Sequence, residues 1–199
     1  KNLEKVKAEA EAAQLLGLPA SYAGEAPLPF DILGAVKFSH QAQFHPRKYI
    51  LNLAGKIHGD GGYVFENTRV KTVDGENPCK VETVHGPTVS AKDVIVATHL
   101  PILDQGLFFA KTFPKRSYLI GARIDPARAP DAMLIGTGEK YRSIRATPTA
   151  DGGQLLLIGG EGHKVGEADD TEQRYQRLAE YARQHFGVET VDFYWSTQD

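Results

Sequence analysis

The sequence predicts an α+β chain with α/β ancestry, in which a mostly antiparallel sheet with flanking helices follows a more deeply buried strand segment. Three observations lead there. Apolar residues recur at helical spacing in three separate stretches, and strand-like patterns after residue 100 follow one another without intervening helices, as in antiparallel sheets. The run Val94-Ile95-Val96-Ala97 is wholly apolar, which suits a strand covered on both faces.

The first helix is expected over 3–16, where Leu3, Val6, Ala10, Ala13 and Leu16 recur at helical spacing and Gly17 and Pro19 end the pattern. A strand follows at 35–40. The second helix opens at Pro46, whose missing N–H costs nothing in a first turn. It carries Tyr49, Ile50, Leu53, Ala54 and Ile57 on one face as far as Gly59. Between 61 and 99 lie three β-branched runs separated by Gly, Asn and Pro turns, the last of them the apolar run named above. Three strands packed beside the Pro46 helix are expected. The last ends at the small Ala97 before Thr98 and His99, exposing backbone amides at a sheet edge where a large ligand, most simply a cofactor, can lie close. Further strands are expected at 116–124, 132–136, 142–146, 154–158 and 190–195. The third helix starts near Asp170, with Gln173 in capping-box position, and buries Tyr175, Leu178, Ala179, Ala182 and Phe186 before Gly187.

Composition narrows the function classes. With 199 residues, 41% of them hydrophobic and 24% charged, the chain can bury a core. A net charge of -2 leaves no electrostatic footprint for nucleic acid or an anionic membrane. The single cysteine, Cys79, excludes an intramolecular disulfide and points to a reducing compartment, so a cytoplasmic location is expected. No apolar run approaches the roughly 20 residues that span a bilayer. Lys1 falls inside a helical pattern and Asp199 follows a strand pattern, so the chain is expected to be part of a longer protein whose N- and C-terminal segments lie elsewhere.

Three motifs bear on chemistry. Gly159, Gly160, Gly162 and Gly166 between a strand and a helix resemble a dinucleotide fingerprint, but the third glycine is displaced and Glu167, Asp169 and Asp170 would repel phosphate. A glycine-rich strand-end loop is the simpler reading, with His163 as a group that could face a substrate. The seven histidines show no ligand spacing, His40 and His45 included, and no metal site is expected. In a strand, Tyr141, Ser143 and Arg145 point to one face and Arg142 and Ile144 to the other. A phenol, a hydroxyl and a guanidinium on one face can hold a carboxylate; the alternative is a solvated edge with Arg145 in a salt bridge.

The ordered set F-H-P-R-K-Y, G-G-Y-V-F-E-N-T-R-V, D-V-I-V-A-T-H, R-S-Y-L-I-G-A-R, Y-R-S-I-R, L-L-L-I-G-G-E-G-H-K-V-G and Y-W-S-T-Q-D resembles the FAD-dependent oxidoreductases of the D-amino-acid oxidase, glycine oxidase and sarcosine oxidase superfamily. It covers nearly the whole chain. The resemblance implies part of a glutathione-reductase-type FAD domain at 42–102, a substrate-domain excursion at 1–41 and an antiparallel substrate-binding domain at 103–199. It implies FAD contacts from the Val70 backbone and from the turn at Ala97, Thr98 and His99, and a small-molecule substrate, amine or amino-acid-like, near Tyr141, Arg145 and His163. It assigns no catalytic acid or base, since hydride transfer to FAD needs none from this stretch. The pyrophosphate loop of the family is not in these residues, so this stretch alone is expected to bind FAD weakly or not at all. The ending also resembles members that continue into a Rieske domain, for which no residue here supplies ligands. Two other classes stay open: an NAD(P)-type dinucleotide-binding domain built on 159–166, and a non-catalytic β-sheet binding module.

Overall fold

The computed structural model describes residues 2–100, 102, 103, 105–138 and 141–198. The chain divides into two compact units, Lys1–Gln43 with Phe113–Asp199, and Phe44–Thr112. In chain order the larger unit begins with α1 (Asn2–Leu15), β1 (Ala20–Ala23) and β2 (Ala35–Phe38). The smaller unit holds α2 (Pro46–Ile57), β3 (Val70–Asp74), β4 (Cys79–Thr83) and β5 (Val89–Ala91). The larger unit then adds β6 (Lys115–Ile124), β7 (Leu134–Ile135), β8 (Arg142–Pro148), β9 (Gln154–Lys164), α3 (Thr171–Phe186) and β10 (Phe193–Gln198). Helices and antiparallel sheets therefore mix, as the sequence predicts.

Five strands of the larger unit form an antiparallel sheet in the order β10-β6-β9-β8-β7. Alternation places Tyr118, Ile120, Ala122, Ile124, Ile144, Leu156 and Ile158 on one face, where Leu178, Ala182 and Phe186 of α3 bury them. The opposite face carries Leu119, Gly121, Ser143, Arg145, Leu157, Gly159, Phe193 and Trp195 in register across four strands. Within the larger unit α3 packs on the first face and α1 packs on β1 and β2. On the second face Phe193 and Trp195 are exposed and Leu119, Ser143, Arg145 and Leu157 are half-buried.

Residues 159–162 correct one expectation. They form no loop but continue β9, because two of the glycines allow strands to approach too closely for a side chain. A Cβ at Gly159 would stand 2.5 Å from Ser143 Oγ, and one at Gly160 would stand 2.9 Å from the Tyr141 carbonyl oxygen. The connection to α3 begins only after Lys164, so these glycines cradle no phosphate of the fingerprint kind.

At the ends of α3 the local chemistry divides. Gly187 adopts the left-handed conformation, φ +62, and its N–H reaches the carbonyls of Ala182 and Arg183, closing the helix as expected. Gly187→Ala is expected to lower the unfolding free energy by about 1 to 2 kcal/mol, read as a lower urea midpoint at unchanged slope. The capping box does not form. Asp170 makes no capping bond because its carboxylate is taken by Arg174 Nε at 2.6 Å and Arg177 Nη2 at 3.1 Å, and charge-assisted bonds outcompete a backbone donor.

In the smaller unit β3, β4 and β5 form an antiparallel meander. The helix starts at Pro46 as expected, capped by His45, whose Nδ1 accepts from the Lys48 N–H at 3.4 Å. However, α2 buries no residue, and Tyr49, Ile50, Leu53 and Ile57 are exposed, so it is not packed into a core with the strands. The third strand is Val89–Ala91 rather than the apolar run, in which Ile95 is 91% exposed. A wholly apolar strand needs cover on both faces, and the described residues of this unit pair no strand with 94–97.

Candidate functional site

Arg145 and Ser143 stand where the alternation of β8 predicts. Arg145 pairs across the sheet with Leu157, which pairs in turn with Gly121, and Ser143 with Gly159, then Leu119. Ile144, between them, is buried under α3. Arg145 is half-buried and has no carboxylate partner among the described residues, so the salt-bridged edge is not realised there. The result is a guanidinium and a hydroxyl beside the apolar Leu119, Leu157, Phe193 and Trp195, with Arg123 and Thr147 further along the same face.

Tyr141 and His163 do not join them. Tyr141 precedes the paired part of β8, so strand alternation does not govern it, and it lines a cavity on the α3 side. His163 lies on that side too. Its Nε2 is 2.9 Å from Tyr118 Oη, its ring stacks on Tyr118, and its Nδ1 is 2.8 Å from the Lys164 carbonyl. Tyr118 Oη also meets Thr171 Oγ1 at 3.2 Å. The period-2 reading fails here because the β6–β9 register shifts between Arg116 and Tyr118, and Glu161 takes a left-handed φ of 54.

That bulge centres a charge network the sequence reading missed. Glu161, its side chain 11% exposed, accepts from Arg142 Nη2 and from Arg177 Nε at 2.6 Å, while its carbonyl accepts from Arg174 Nη1 at 2.5 Å. The available signal was the i, i+3 pair Arg174 and Arg177 beside Arg142 and Asp170. Burial pushes the Glu161 carboxyl up, but hydrogen bonds and charge from Arg177 and Arg142 outweigh it and leave it below the ordinary range. The bond from Arg174, ahead of that from Arg177, lowers Asp170 likewise. A carboxyl with a depressed folded pKa adds stability that is present above its unfolded value and lost as pH falls through the folded one. Urea midpoints are therefore expected to hold from neutral pH down to about 5 and to fall below about 4, the unfolded carboxyl range. A midpoint unchanged to about pH 3 would show that these carboxylates contribute nothing.

In the smaller unit, Thr98 and His99 line a concavity of about 300 Å³ with Val96, Leu100, Ile102, Leu103 and Phe108. Thr98 closes a tight turn: its carbonyl accepts from the Leu100 N–H at 2.6 Å and its hydroxyl donates to the Leu100 carbonyl at 2.7 Å. Neither Ala97 nor Val70 lines this concavity. Val70 begins β3, where the ladder gains one residue between Val70 and Thr72 and so frees backbone groups of the bulge. Among the described residues no three His, Cys, Asp or Glu side chains converge as metal ligands, and no helix is long and apolar enough to cross a membrane.

The model of the family described as FAD dependent oxidoreductase matches residues 1–197. The chain is 30% identical over 199 residues to YhfW of Bacillus subtilis (strain 168), named for a Rieske 2Fe-2S iron-sulfur protein; the match takes in 99% of this chain and 38% of that relative. A solved flavoprotein/dehydrogenase from Cytophaga hutchinsonii shares 14% identity and a TM-score of 0.48, over 94% of this chain and 52% of that one. The Diels-Alderase PyrE3 of pyrroindomycin biosynthesis shares 12% identity and a TM-score of 0.43, over 98% of this chain and 45% of that one.

Proposed function

Because the chain belongs to the FAD dependent oxidoreductase family, we propose that it forms part of an enzyme oxidising an amine or amino-acid-like substrate by hydride transfer to FAD. The observation that carries this reading is Arg145, which has no carboxylate partner among the described residues, beside Ser143 on a face floored by Leu119 and Leu157. Arg145 binds the substrate carboxylate through its planar fork of donors, Ser143 adds a single hydrogen bond, and the floor excludes water. Tyr141 and His163, on the other side of the sheet, take no direct part.

Residues 42–102 contribute to an FAD-binding domain of glutathione-reductase type, and the five-stranded sheet, within 103–199, belongs to the substrate-binding domain. Two features of the smaller unit suit part of a dinucleotide. The Val70–Thr72 bulge frees backbone groups, and the unpaired segment 93–98 ends in the Thr98 and His99 concavity, whose volume is at the low end for a ligand site. Val70, Ala97, Thr98 and His99 would hold the cofactor's adenosine side through backbone groups. FAD, when bound, supplies the two-electron acceptor. The chain spans 38% of YhfW, and the name of that relative makes a Rieske 2Fe-2S centre the proposed electron partner.

The test is spectroscopic. The full-length polypeptide, purified without added cofactor, is expected to show flavin absorption bands and to release FAD on heat denaturation. A colourless full-length protein that takes up no FAD on titration would overturn the reading.

A further inference from the structure

On the α3 side of the sheet, away from Arg145, a cavity of about 580 Å³ lies between the β8–β9 edge and α3, lined by Tyr141, Arg142, Arg174, Arg177, Tyr181 and Gln184 together with Glu161. We propose that this cavity binds a small oxyanion, a carboxylate or a phosphate, chiefly through Arg177 and Arg174.

The charge count within the hydrogen-bonded cluster favours a ligand of that sign. Three guanidinium groups, those of Arg142, Arg174 and Arg177, share two carboxylates, Glu161 and Asp170, so one positive charge is left over among the described residues. Glu180 at the cavity wall does not cancel it. Its carboxylate is engaged by Arg183 at 3.6 Å and by Gln184 Nε2 at 2.7 Å. Asp170, which in the sequence alone weighs against phosphate here, has its charge taken up by Arg174 and Arg177. The start of α3 adds the partial positive charge of the helix dipole, offset by Glu172 in its first turn.

The donors are arranged for an oxyanion. Arg142 is 12% exposed and held by Glu161 and by the Tyr141 carbonyl, so it forms a fixed wall; its buried Nε has no acceptor. Arg177 is 44% exposed, and its bonds to Glu161 and Asp170 use Nε and Nη2, leaving Nη1 without a partner among the described residues. Arg174 similarly spends Nε and Nη1 and keeps Nη2. Guanidinium groups with unspent N–H donors prefer planar or tetrahedral oxyanions.

Calorimetric titration of the purified protein with inorganic phosphate, and separately with acetate, at constant ionic strength in chloride, tests this. Saturable one-to-one binding of at least one is expected, weakened about tenfold or more in Arg177→Gln, the loss of a charge-assisted contact. Arg177→Lys, which keeps the charge but not the fork, should weaken it less, and Lys7→Gln, a position on α1 that does not line the cavity, should leave it unchanged. Phosphate binding without acetate binding assigns a phosphorylated ligand, and the reverse a carboxylate. Heats that do not saturate for either anion in the millimolar range, or equal binding by a folded Arg177→Gln protein, would overturn the proposal.

Discussion

Glu161→Ala is expected to lower the unfolding free energy by about 3 to 5 kcal/mol, the usual cost of leaving a buried partner charge uncompensated. Arg142 is the reason. It is 12% exposed and its bonds are to Glu161 and to a neighbouring carbonyl, so without the carboxylate its charge stays in a poorly solvated place. Arg177 can turn to solvent and adds little. Because Glu161 also ties β9 to both β8 and α3, the loss should appear as a lower urea midpoint. Glu161→Gln, which keeps the shape and an acceptor, should cost less. A loss in Glu161→Ala of under about 1 kcal/mol would mean that the cluster behaves as an exposed ion pair.

Arg145→Ala in the full-length enzyme is expected to raise KM for a carboxylate-bearing substrate ten- to hundredfold, the effect of removing one charge-assisted contact worth about 1.5 to 3 kcal/mol. Stability should change by only about 0.5 kcal/mol, as for other substitutions that break no internal partner. The contrast with Glu161 follows from their surroundings on opposite faces of one sheet. Steady-state kinetics and thermal melts on the same variant separate the two roles. A collapsed melting temperature with normal kinetics per folded molecule would make Arg145 a structural residue.

Sequence reasoning succeeded where local chemistry decides the outcome. Pro46 starts a helix because its ring fits a first turn, Gly187 ends one because the chain there turns left-handed, and β8 sorts Ile144 from Ser143 and Arg145 by strict alternation. It failed where the outcome depends on partners distant in sequence. The apolar run at 94–97 reads as a doubly covered strand, but coverage is a property of neighbours. Gly159 and Gly160 read as a loop because glycine usually marks one; here they admit Ser143 and the Tyr141 backbone. His163 was brought to the α3 side by a one-residue bulge, which no pattern of period two can foresee, and Tyr141 lies before the paired part of β8, where alternation does not apply. Asp170 fits a capping box until the two arginines that claim it are known to be within reach.

The adjacent glycines of β9 have one more consequence. Gly159 belongs to the Arg145 face and Gly160 to the α3 face, and neither brings a side chain. The sheet at that point is only one backbone thick, a window between Ser143 on one side and Arg142 on the other. A methyl group at Gly159 would press on Ser143 and Leu119, and one at Gly160 on Arg142 and the Tyr141 carbonyl, so the two faces can be perturbed separately although they share this wall.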